Sequence, residues 1–297
     1  MIVTRIRGGL GNQMFQYAYG LYLAQQNNTE LVLECSSLDR DPLRNFVLDR
    51  WKIAERQTTK AESKQMPSRY EVMGWLNFLH GKQPLKRISE RPFGFHPKFL
   101  TVGDNIFLAG YWQSEQFFPK LREQLQSIFQ PAKPIRKQSV DVIRKMENSN
   151  SVSLHIRRGD YVQSAGSTAA LQVCPLSYYQ ASIAELLSRH EDLKIFVFSD
   201  DHQWCSQNLQ FDCPTVYVDH NDSNQSHEDM WLMTRCNHHI VANSSFSWWG
   251  AWLKLDEWGE VFAPQQWFSD LHLDASSIVP DHWHKVDTTC THALQLT

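Results

Sequence analysis

The sequence predicts an α/β protein of two Rossmann-like lobes with a cleft between them. Three observations lead there. The chain opens on an apolar strand, a glycine loop, a helix and a second strand, which is one βαβ unit and so the start of a parallel sheet. From Ser151 onward five strand patterns alternate with four helix patterns, as in a doubly wound sheet. The pattern is broken between these two stretches, which sets the boundary near residue 150. Residues 1–150 then form the N-terminal lobe and 151–297 the C-terminal lobe, with the tail after about 280 expected to return to the first lobe.

Each element has its own warrant. Ile2–Arg7 reads as a strand, Met14–Asn27 as a helix and Glu30–Glu34 as a strand, with Gly8, Gly9 and Gly11 between the first two. Residues 36–104 are rich in Pro, Arg and aromatics and give no assignable period. "NIFLAGYWQS" reads as a buried strand ending near Trp112, and helices follow around 115–129 and 135–148 across "QPAKP". "SVSLHIR", "KIFVFSD", "TVYVD", "HHIVAN" and "EVFAP" are the later strands. "PLSYYQASIAELLSRH", opened by its proline, "DHQWCSQNL", "SHEDMWLMTRC" and "SFSWWGAWLKL" are the helices between them.

Composition excludes several classes. A formal charge of −3 leaves no basic excess for nucleic acid as the main partner. No run approaches the roughly 20 apolar residues that cross a bilayer, and the chain enters a strand at once, leaving no room for a signal peptide. A cytoplasmic protein is expected. The six cysteines form no CxxC pair and suggest neither a structural zinc nor a disulfide framework, so reduced thiols are expected. Eleven tryptophans suit either an aromatic core or stacking on sugar faces.

Ligands of open parallel sheets sit beyond the carboxyl ends of the strands. "RGGLGNQM" lies at the first such end. It lacks the Gly-Lys-Ser/Thr of a P-loop, and Met14 stands where a dinucleotide fingerprint has its third glycine, although Glu34 could serve as the ribose-binding acid. A tight turn without ligand is an alternative. Asn12 and Gln13 would add side-chain amides to free N–H groups at the helix start.

In "SLHIRRGDY" strand alternation puts Ser153, His155 and Arg157 on one face. Adjacent arginines at a strand end need an anion or a carboxylate, and Asp160 is a candidate internal partner. Ser244, Ser245 and Ser247 lie near a helix start, which suits an anion or plain capping. Phe246, Trp249 and Leu253 have core spacing. Ser226 and Asp229 match a capping box, the alternative being a carboxylate that accepts from the N1–H and 2-amino edge of guanine. "DRD" at 39–41 has the Asp-x-Asp form of metal-dependent sugar transferases, but within an arginine-containing irregular stretch it reads as a solvated loop.

Taken together, "GGLGNQMFQYA", "HIRRGDY", "FSDD" and "NSSFSWWGAWL", in that order from Arg7 to about Pro264, resemble the α-1,2-fucosyltransferases of glycosyltransferase family 11. The resemblance implies a GT-B type fold with GDP-β-L-fucose in the C-terminal lobe and acceptor contacts from the N-terminal one. It implies inverting transfer to O2 of a galactose-containing acceptor, without a metal. A glycolipid acceptor would bring peripheral membrane contact. Arg157 would grip the β-phosphate, with Arg158, His155, Ser244, Ser245 and Phe246 also on the donor. Asp229 would read guanine, and Gly9, Gly11, Asn12 and Gln13 would approach the fucosyl-diphosphate junction. Related core-fucosylating enzymes carry an acid a few residues after the Asp of this motif. Here no acid occurs between Asp160 and Glu185, so Asp160 itself is the expected base, with Glu115, Asp201 or no strong base at all as alternatives.

Overall fold

The computed structural model describes residues 1–67, 85–159, 172–255, 258–270 and 272–288. It divides into two compact units: Met1–Ala132 with Ser276–Ile278, and Lys133–Ala275 with Val279–Thr297. Both are α/β with parallel sheets, as the GT-B type requires.

The first unit contains β1 (Ile2–Arg5), α1 (Leu10–Gln26), β2 (Leu31–Glu34), α2 (Lys60–Lys64), β3 (Lys86–Ser89), β4 (Ile106–Ala109) and α3 (Arg122–Ile128). Its sheet runs β2-β1-β4-β3. Val3 stands opposite Val32 and Phe107 in the register, and the three form one buried apolar face. On α1, a Cβ at Gly20 would come within 2.8 Å of the Leu31 side chain and 3.2 Å of Thr4, so a glycine is what lets the helix lie this close to β1 and β2. Tyr19, Phe99, Trp112 and Phe117 pack as an aromatic cluster beside it.

The second unit contains α4 (Lys137–Glu147), β5 (Asn150–Ile156), α5 (Leu176–Leu187), β6 (Leu193–Ser199), α6 (His202–Asn208), β7 (Thr215–Tyr217), α7 (Ser226–Met233), β8 (His238–Ile240), α8 (Ser245–Trp252), β9 (Val261–Pro264) and β10 (His284–Val286). The order is β10-β9-β8-β5-β6-β7. Alternation along the strands feeds two cores. Val152, Leu154, Ile156, Ile195 and Val197 meet α5 on one face, while Phe196 and Phe198 meet α4 and α7 on the other. Helices on both faces make this sheet doubly wound.

Several expectations change. The units divide after Ala132 rather than near 150, because α4 packs on β5 and α7 of the second unit. The tail from Val279 stays with the second unit, since β10 pairs with β9; only Ser276–Ile278 join the first, where the Ser277 hydroxyl accepts from the Phe95 N–H. Two short strands, β3 and β10, have no alternating apolar run and were not expected. The first helix begins at Leu10, so Gly11, Asn12 and Gln13 lie in its first turn and the loop is only Ile6–Gly9. Trp51, Trp112, Trp248 and Trp249 are fully buried and belong to the core. The five described cysteines are unpaired. Among the described residues no helix is long and apolar enough to cross a membrane.

Candidate active site

In the second unit the chain runs from β5 outward to β6 and β7, then returns to place β8 on the other side of β5. That reversal opens a crevice at the carboxyl ends of β5 and β8. The β5–β6 register ends with Ile156 opposite Ser199, which brings Arg157 and Arg158 alongside Asp200 and Asp201. Arg157 pairs with Asp200 at 3.1 Å. The Arg158 backbone N–H donates to Asp200 at 2.8 Å. The Arg158 guanidinium reaches Asp201 at 3.4 Å and lies 3.8 Å over the Trp204 ring. Asp201 also accepts from the Trp204 N–H at 3.1 Å and caps α6.

The arginines therefore have different duties. Arg158 is stacked on Trp204 and paired to a capping aspartate, which ties it to α6. Arg157 is oriented by Asp200 on one edge of a guanidinium that carries five donors. The carboxylates beside them come from β6; Asp160, expected as partner and as base, lies outside the described residues. A Cβ at Gly159 would stand 3.0 Å from Asp200, so the small residue leaves room for that carboxylate.

His155 precedes them on β5. It is 4% exposed, its Nδ1 is buried with no partner, and its ring centroid lies 5.5 Å from that of Phe246. Burial, then the charge of Arg157, pulls its pKa down to about 3 against an opposing effect of Asp200. It is a neutral imidazole at neutral pH.

Across the crevice Ser244 is the N-cap of α8, its hydroxyl accepting from the Phe246 N–H at 3.3 Å. Asn243 donates to the carbonyls of Gln172 and Trp267 at 2.9 and 3.1 Å, fixing the strand-to-helix junction. Ser245 is half-buried and is the first residue of α8. Ser247 is turned inward, donating to the carbonyls of Ala242 and Ser244. Free N–H groups with hydroxyls at this helix start suit an anion, and His155 and Phe246 join it to the Arg157 motif.

Asp229 is not a capping residue. Ser226 is already helical and the N-cap, Gln225, makes no side-chain cap. The Asp229 carboxylate instead accepts from Asn221 Nδ2 at 2.5 Å. Burial raises its pKa to about 7, with Glu228 adding to the rise and Asn221 and Arg136 opposing it. The neighbouring Glu228 is structural: it accepts from Ser139 at 2.5 Å and pairs with Arg136 at the start of α4.

The first unit has its own reversal, between β1 and β4. Gly8 takes φ +77°, open to glycine, and turns the chain into α1. Gly9 is the N-cap and offers no side-chain cap, so no side chain of its own screens the helix N–H groups. Asn12 accepts from Gln113 at 2.6 Å, linking the α1 start to the loop after β4. Arg7 lies 4.2 Å over the Tyr111 ring. Glu90 accepts from the N–H groups of Tyr111 and Trp112 at 2.6 and 3.1 Å, and burial raises its pKa. Gln13 departs from the expected role. It is fully buried, donates to the carbonyls of Gly8 and Asn45 at 2.8 Å each, and accepts from the Val47 N–H at 3.1 Å. Its amide holds the loop and is not offered to a ligand.

Asp39 lies in a 3-10 turn, Leu38–Arg40, that Asp41 closes, and Asp41 accepts from the Leu43 N–H, as a solvated loop would. Among the described residues His190, His238 and Glu260 form one group with metal-ligand spacing. It sits at the amino ends of β8 and β9, opposite the crevice. There Glu260 is shared by Arg189, His190 and His284, and His238 Nδ1 accepts the Glu260 N–H at 3.1 Å. These contacts make it an ion-pair network.

Sequence reading missed Asn221, Trp204, Arg7, Glu90 and Gln113. Arg7 opens the RGGLGNQM stretch but carries no role in that pattern, and the other four lie outside the quoted motifs; each is defined by a partner that the linear pattern does not name.

Comparison with known proteins bears on what binds here. The profile of Glycosyl transferase family 11 matches residues 1–286. An alpha-1,2-colitosyltransferase of Escherichia coli is 35% identical, covering 97% of this chain and 99% of the relative. The O-antigen biosynthesis glycosyltransferase WbnK of Escherichia coli is 33% identical over 94% of this chain and 98% of its own. Galactoside alpha-(1,2)-fucosyltransferase 1 of Lagothrix lagotricha is 25% identical over 83% of this chain and 63% of its own. A solved variant of Arabidopsis thaliana FUT1 in complex with GDP shares the fold, with a TM-score of 0.50, 11% identity and coverage of 88% of this chain and 69% of that one.

Proposed function

The chain belongs to glycosyl transferase family 11, and on that premise we propose that it transfers L-fucose from GDP-β-L-fucose to O2 of a galactose-containing acceptor, with inversion and without a metal. The observation that carries this reading is the crevice at β5 and β8. There Arg157, held by Asp200, and the Ser244-capped start of α8 flank a buried neutral His155.

The chemistry follows from charge. The bond from fucosyl C1 to the β-phosphate oxygen breaks, its electron pair goes to the phosphate, and GDP gains negative charge. Galactose O2 bonds to C1 from the opposite face and loses its proton, which Asp160 is proposed to accept. Arg157 and the N–H groups of α8 meet the phosphate charge as it develops. Such preorganised donors typically contribute about 10²–10³ in rate each. Ser245 and Phe246 complete the donor side, with Asp229 on the base; Arg158, held by Asp201 and the Trp204 ring, fixes the turn that follows Arg157. Gly9, Gly11 and Asn12 are proposed to approach the fucosyl-diphosphate junction.

The colitosyltransferase relative supports a second reading, in which the donor sugar is colitose. Colitose lacks the 3-hydroxyl of L-fucose. A site built to bond that hydroxyl rejects the deoxy sugar strongly, whereas an apolar pocket discriminates weakly.

The test is calorimetry with GDP and NADH, then turnover of GDP-fucose and GDP-colitose with β-galactosides differing in the next sugar. GDP binding and an α-1,2-fucosylated product are expected. A preference for GDP-colitose establishes the second reading, and NADH binding without GDP binding overturns both.

A further inference from the structure

We infer that Asn221 is a positioning residue for the nucleobase-reading carboxylate, setting both the orientation and the charge of Asp229. The inference rests on the proposed GDP-sugar donor.

Asn221 follows β7, while Asp229 projects from α7, so the contact is made by the turn between them. The Asn221 side chain is 8% exposed and donates Nδ2–H to Asp229 Oδ1 at 2.5 Å. Its own Oδ1 is buried with no partner. An unpaired buried carbonyl is costly, and such groups in a native structure call for an explanation beyond packing. Here the amide occupies one carboxylate oxygen and leaves Asp229 Oδ2 to accept from a ligand. A guanine edge presents the N1–H and 2-amino donors that an ionised carboxylate accepts.

The surrounding charges make the amide matter. Burial and the neighbouring Glu228 disfavour ionised Asp229; Arg136 and the Asn221 hydrogen bond favour it. Arg136, from the start of α4, is paired with Glu228 and donates to the His220 carbonyl, so it acts on Asp229 through its charge alone. His220 lies next to Asn221 and bonds Ser139, its pKa lowered first by burial and then by Arg136. Asp219 and Asp222 flank the turn and add no positive charge. The Asn221 amide is therefore the neutral donor that keeps Asp229 ionisable near pH 7. Without it, protonation would extend to higher pH, and a protonated acid presents the wrong pattern to N1–H.

The experiment measures GDP affinity by calorimetry, and kcat and KM for GDP-fucose, from pH 6 to 9. It compares the native full chain with Asn221→Ala, Asn221→Ser and Asp229→Asn. In Asn221→Ala, GDP binding should weaken about fivefold at pH 7, because a one-unit rise of a pKa near 7 cuts the ionised fraction from about one half to about one eleventh, and recover towards pH 9. KM should rise while kcat at saturating donor holds, and Asn221→Ser, which keeps a donor, should lie between. A loss independent of pH, or no loss while Asp229→Asn does weaken GDP, overturns the positioning role alone. If Asp229→Asn binds GDP normally, the base-reading role of Asp229 falls, and the inference with it.

Discussion

Arg157 and Asp200 form an ion pair at 3.1 Å across the ends of β5 and β6, each side chain 24% exposed. The pair is a product of register: two parallel strands ending level put the next residues of each side by side. It gives the guanidinium a fixed direction, which an unsupported arginine at a loop tip would lack. Arg157→Ala should lower kcat by about 10²–10³ or more with little change in melting temperature. Asp200→Asn should cost less, because the arginine keeps its charge and loses only its orientation. Near-normal turnover of Arg157→Ala would remove Arg157 from the chemistry.

His155 should make stability pH-dependent. Its folded pKa of about 3 lies below the ordinary histidine value of 6.5, so the unfolded chain binds the extra proton first. Its contribution is complete above pH 6.5 and declines as pH falls from there towards 3. Asp229 acts in the opposite sense: raised from 3.8 to about 7, it takes up a proton on folding and favours the folded state as pH falls through 7. Melting temperatures from pH 7.5 to 5 should therefore fall less steeply for His155→Gln and more steeply for Asp229→Asn than for the native chain. Parallel slopes in all three proteins would contradict both assignments.

Asn12 and Gln13 are adjacent and should fail differently. Gln13→Ala leaves the Gly8 and Asn45 carbonyls and the Val47 N–H without their partner. The expected cost is about 1–3 kcal/mol per buried group left unpaired, read as a lower denaturation midpoint. Asn12→Ala removes one partly exposed bond to Gln113 and should weaken transfer more than GDP binding. Equal stability losses in the two variants would show that both amides are structural.

Transfer should proceed unchanged after dialysis against EDTA, because the proposed charge stabilisation comes from Arg157 and α8. Activity lost to EDTA and restored by Mg²⁺ or Mn²⁺ would overturn metal independence and direct attention back to Asp39 and Asp41.

The sequence by itself determined the α/β class, the parallel sheets, and the strand ends where a ligand would sit. These follow from period and punctuation: alternation in "SVSLHIR", helical spacing in "SFSWWGAWL", glycines after β1. The motifs also singled out His155, Arg157, Ser244 and Asp229 as candidates. What a linear reading left open was partnership. Whether Gln13 faces a ligand or its own loop, that Arg157 pairs with Asp200, and whether Asp229 caps a helix or meets Asn221 depend on residues between 5 and 43 positions away. The short strands β3 and β10 escaped for a related reason. Each is stabilised by backbone pairing to a buried neighbour rather than by an apolar pattern of its own. Local sequence carries propensity and period; hydrogen-bond partners and the pKa values that depend on them are set by register and burial, which exist only once the sheets have formed.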